Sequence, residues 1–156
     1  VPLALTRVGY SGAEAAAAFG VFWIVITLVR LVGGYVLDLI GRYALVLTSI
    51  IFTAVGMVIF MTSEATGLEY LGLIIWGLGV AVGFPMVIAS MSDDQSMAAP
   101  RVNMIITVVY ISSITVGPAL GALGQAAGIY VAFSIPLALV AVSLFLSRAT
   151  KPLKGN

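Results

Sequence analysis

Long apolar runs alternate with short polar breaks along this chain. The runs cover residues 13–37, 44–61, 68–91, 102–124 and 129–147. Each approaches the roughly 20 residues that a helix needs to cross about 30 Å of hydrocarbon. The breaks read GRY, TSEATG, SDDQSMAAPR and QAAG, and the chain closes on RATKPLKGN. The pattern predicts an all-α, polytopic membrane helix bundle with five transmembrane helices. The second and fifth runs would also suit buried helices of a soluble core, but no amphipathic segment exists to cover such a core.

Composition sharpens this picture. The chain is 62% hydrophobic and 8% charged, whereas soluble domains carry about 25% charged residues. Mean hydropathy is +1.19. The solvent, and hence the first partner, of most of the chain is therefore a lipid bilayer. Cys and His are both absent, which removes disulfides, most zinc sites and the usual nucleophile–base pairs. No metal, cofactor or enzymatic constellation is expected. A net charge of +1 offers no basic patch for nucleic acid. Seventeen glycines suit helices that pack closely in lipid.

The first twelve residues, VPLALTRVGYSG, do not form a signal peptide, because their apolar run is too short and Arg7 follows it. They read as the end of an earlier element and a loop. The chain opens on Val rather than Met, so material is expected ahead of it.

Five spans place alternate breaks on opposite sides. One side holds Arg7; the other holds Arg42, Arg101, Arg148, Lys151 and Lys154. Basic residues stay cytoplasmic, so the chain is expected to enter from outside and end inside. Glu64 and Glu69 fall outside, which the rule permits.

Charge is concentrated at RLVGGYVLDLIGRY, residues 30–43. Arg30, Gly34 and Asp38 recur every four residues and share one helical face. Gly33 and Gly34 thin that face so that another helix can approach. Gly41 breaks the helix, and Arg42 opens the return. Arg30 lies about 12 Å up the helix from Asp38. An arginine at mid-bilayer costs about 2.5–3.5 kcal/mol on insertion scales, less where it snorkels to the surface.

Gly34, Asp38, Gly41 and Arg42 form G-x-x-x-D-x-x-G-R, which resembles the signature loop of the major facilitator superfamily of transporters. In that family the loop follows the second helix of each six-helix half, on the cytoplasmic side. The family's loop usually carries further basic residues where this chain has Leu39 and Tyr43. Such weakening points to the C-terminal half. Four spans follow the loop, so the chain resembles helices eight to twelve of a twelve-helix transporter, with the seventh missing. The resemblance implies that the loop is a latch. Asp38 would face a helix N-terminus of the missing N-terminal half, where the helix dipole favours negative charge, and Arg42 would hold it.

The fourth run is the most polar. Asn103, Thr107, Tyr110, Gly117 and Gly121 follow steps of three, four and seven and share a face, with Ser113 nearby. Asn103 fits either a polar pathway or a cap at the cytoplasmic end of its span. The resemblance implies that the first, third and fourth spans reach a central cavity and that the other two face lipid. Trp23 and Trp76 lie mid-span, where either stacking on a small-molecule substrate or core packing would suit them. Gly79 and Gly83 form G-x-x-x-G before Pro85, and Gly117 and Gly121 form another around Pro118. Both suit close crossings and kinks. No Asp, Glu or His falls in the middle of a run, so a proton-coupling group would have to lie elsewhere. The leading expectation is transport of a small solute by alternating access. The other is a membrane scaffold that binds partner helices through its glycine faces.

Overall fold

The computed structural model describes residues 1–7, 9–63 and 67–151. Glu64 and Lys154, used above for orientation, lie outside them. The described residues form six α-helices and a closing 3₁₀ turn: α1 (Pro2–Arg7), α2 (Gly12–Ile40), α3 (Arg42–Thr62), α4 (Leu68–Met91), α5 (Ala98–Ala126), α6 (Ile129–Leu146) and the turn Ser147–Thr150. The five helices α2 to α6 are long and apolar enough to cross a membrane, as the hydropathy pattern predicts.

Helix limits follow from local chemistry. Ser11 caps α2: its hydroxyl accepts from the Glu14 amide at 3.2 Å, while the Glu14 carboxylate accepts from the Ser11 amide at 2.8 Å. This reciprocal capping box explains the acidic residue at the start of an apolar span. α2 runs three residues beyond the expected end at residue 37, to Ile40, and is capped by Gly41. The Gly41 backbone takes φ 77° and ψ 161°, a region only glycine enters freely. α5 begins at Ala98, earlier than expected, because Pro100 falls in the first turn, where a missing N–H leaves no intrahelical bond unmade.

The chain divides into two compact units, Val1–Gly83 and Phe84–Asn156. In the first, α1 packs on α2, and Leu5, Ala15 and Ala18 are buried. The α2 and α4 helices run parallel, with Gly77 against Val25 and Gly33 against Val82. α3 runs antiparallel to α4 at closer range. A Cβ on Gly56, Gly72 or Gly79 would overlap backbone of the opposite helix. At this crossing the buried Ser49 hydroxyl donates to the Gly79 carbonyl at 2.6 Å. In the second unit α5 and α6 form a hairpin through Gly128, with Gly124 against Ile129 and Ala132.

Candidate functional site

The loop after α2 is shaped by Gly41, whose amide donates to the Leu37 carbonyl at 2.9 Å and closes the helix. Asp38 stands one turn before it, exposed. Among the described residues Asp38 makes no hydrogen bond or ion pair, so the bond to Arg42 that the resemblance implied is not formed. Gly33 and Gly34 divide the role expected of both. A Cβ on Gly33 would stand 3.2 Å from a Val82 methyl, whereas one on Gly34 would meet nothing within 4 Å. Gly33 is used inside the chain, and Gly34 lies open on the face of Asp38.

Arg30 neither pairs with a carboxylate nor simply snorkels. Its Nε donates to the carbonyl of Ala81 on α4 at 3.1 Å. Nothing in the local sequence signals this contact, because the partner is a backbone atom 51 residues away.

The tryptophans separate. Trp76 is half-buried in an aromatic cluster, 5.2 Å from Phe22 and 6.1 Å from Phe60 between ring centres, as core packing requires. Trp23 packs edge-on against Phe19 and Phe22 but keeps 51% of its surface exposed.

Asn103, Thr107, Tyr110 and Ser113 are all exposed on α5. Met97 occupies the N-cap position of α5, so Asn103 lies in the second turn and is not the cap. Thr107 and Ser113 donate to the carbonyls of Asn103 and Val109, each at 2.8 Å, and so satisfy themselves on their own helix. Among the described residues the Asn103 amide and the Tyr110 hydroxyl have no hydrogen-bond partner. Tyr110 borders an apolar hollow with Phe84, Ile88, Ile106 and Val109. Gly79 and Gly83 are engaged against α3, Gly83 beside the Ser49 hydroxyl, whereas Gly117 and Gly121 stand open. Pro85 and Pro118 lie inside continuous helices.

Two polar clusters escaped the sequence reading. Glu69 is buried and accepts from the Tyr10 hydroxyl at 3.3 Å and the Gly67 amide at 3.1 Å. Burial, then the Glu69 charge, pushes the Tyr10 phenol above its ordinary pKa. In the loop before α5, Asp94 accepts from the Ser96 hydroxyl at 2.6 Å and pairs with Arg101 at 3.4 Å. The Ser96 hydroxyl is the main cause that holds the Asp94 carboxyl below its usual range. The D-x-S spacing could have signalled that turn; the Glu69 contact joins residues 59 apart and had no local signal.

These elements define a polytopic α-helical membrane protein, with a charged loop at one end of α2 and an exposed polar face on α5. The chain is similar to an uncharacterized MFS-type transporter of Yersinia pestis, 27% identical over 145 residues. The match covers 92% of this chain but 38% of that protein, and it agrees with the major facilitator resemblance read from residues 34–42. No family model matches the chain, and no solved structure matches it.

Proposed function

We propose that this chain is part of the C-terminal half of a major facilitator transporter, resembling helices eight to twelve. Such a transporter moves a small solute by alternating access between two halves that rock about a central site. Five helices of twelve is about two-fifths of such a protein, close to the 38% of the relative that the chain spans. The observation that carries the reading is Asp38. It is an exposed carboxylate at the end of a spanning helix, beside the open Gly34, with no partner among the described residues. In the family's arrangement its partner is a helix N-terminus in the other half. The unpartnered Asn103 amide and Tyr110 hydroxyl suit a wall of the solute pathway, since unpaired polar groups are costly in lipid. The loop and the C-terminus would face the cytoplasm of a bacterial inner membrane.

The test is Asp38→Asn in the natural full-length protein, with uptake of labelled small solutes measured at equal membrane expression. Slowed uptake with unchanged protein level is expected; an unchanged rate removes the latch. The scaffold reading draws on the open Gly117–Gly121 face. It gains if the full-length protein moves no solute but co-purifies with another membrane protein, and if that association is lost on Gly121→Leu.

A further inference from the structure

In an α-helix the amide of residue i donates to the carbonyl of residue i−4. Pro85 has no amide hydrogen, so the Ala81 carbonyl loses its intrahelical donor. α4 nevertheless continues to Met91. Ala81 has no exposed surface, and a bilayer offers no water to replace the bond. The carbonyl that Pro85 leaves bare is the one that Arg30 reaches, with Nε to oxygen at 3.1 Å.

The surroundings make that reach possible. Gly33, one turn further along α2, lets α2 approach α4 at Val82; Gly77 does the same at Val25. Arginine also suits the position chemically. Its Nε–H is a fixed donor close to the aliphatic stem, and the outer nitrogens remain free to extend toward the membrane surface. A lysine has no donor at that point of its stem.

We propose that Arg30 is a positioning residue that supplies to Ala81 the hydrogen bond Pro85 removes, and so secures the proline turn of α4 against α2. The role is independent of whether the protein transports, and it accounts for a charge kept inside an apolar helix without a carboxylate partner.

The test is a double-mutant cycle on the natural full-length protein in detergent, read as Tm. Arg30→Met is expected to lower Tm by about 5 °C, the scale of losing one charge-assisted hydrogen bond. Pro85→Ala returns an amide donor to the Ala81 carbonyl. In that background Arg30→Met should cost less than half as much. An equal fall in both backgrounds overturns the proposal. If Arg30→Met alone does not accumulate, its recovery on adding Pro85→Ala supports the assignment, and failure in both backgrounds rejects it. Solute uptake plays no part in this readout, so failure here leaves the transport reading untouched.

Discussion

Gly41 turns the chain between α2 and α3 with φ 77° and ψ 161°, and a Cβ there would meet no atom within 4 Å. Space is not the constraint; the backbone is. Holding an L-residue in this region costs on the order of 1–3 kcal/mol. Gly41→Ala is therefore expected to lower the Tm of the detergent-solubilised protein by several degrees, and an unchanged Tm would show that the turn relaxes. The Ser11–Glu14 pair is the opposite kind of residue-scale feature. Its energy lies in two hydrogen bonds that satisfy amides a membrane helix would otherwise expose at its start. Both features are readable in the residues themselves: a glycine between two apolar runs, and S-x-x-E ahead of one.

Among elements, the α3–α4 crossing is set by what is missing. Gly56, Gly72 and Gly79 let two backbones touch, and Ser49 adds a buried hydrogen bond across the gap. In lipid, such contact must come from packing and hydrogen bonding, since tails are as apolar as leucine. Gly79→Val would drive its Cβ into the Thr53 backbone and is expected to cost about 3 kcal/mol by overpacking. Gly34→Ala meets open space and should leave Tm level or raise it, because alanine favours helix by about 1 kcal/mol. If Gly34 receives a helix from the other half, that same Gly34→Ala variant will lose uptake while keeping its stability. A Tm loss at Gly34 as large as at Gly79 would contradict this division of the glycines.

For the whole molecule the question is which way the chain threads the bilayer. The 156 residues contain no Cys, so single cysteines introduced here are unambiguous once any elsewhere in the natural protein are replaced. A membrane-impermeant maleimide should label Thr62→Cys in intact cells and Gln95→Cys only after permeabilisation. The reverse pattern would put the Asp38 loop outside and overturn the proposed cytoplasmic latch.

Residue order by itself determined that this chain lives in lipid as five apolar helices, because hydropathy needs only a count of neighbours. It also carried the G-x-x-x-D-x-x-G-R loop and the polar stripe on α5, because periodicity assigns residues to a face. It did not say which glycines are used. Among the described residues a Cβ on Gly33, Gly79 or Gly83 would meet another helix and one on Gly34, Gly117 or Gly121 would meet nothing within 4 Å, although all look alike in one dimension. Nor did it pair Arg30 with Ala81, or Glu69 with Tyr10. Each pair joins residues more than fifty positions apart. Pro85 marks the Ala81 carbonyl as lacking its helical donor, but only the packing of α2 on α4 brings the Arg30 Nε to it.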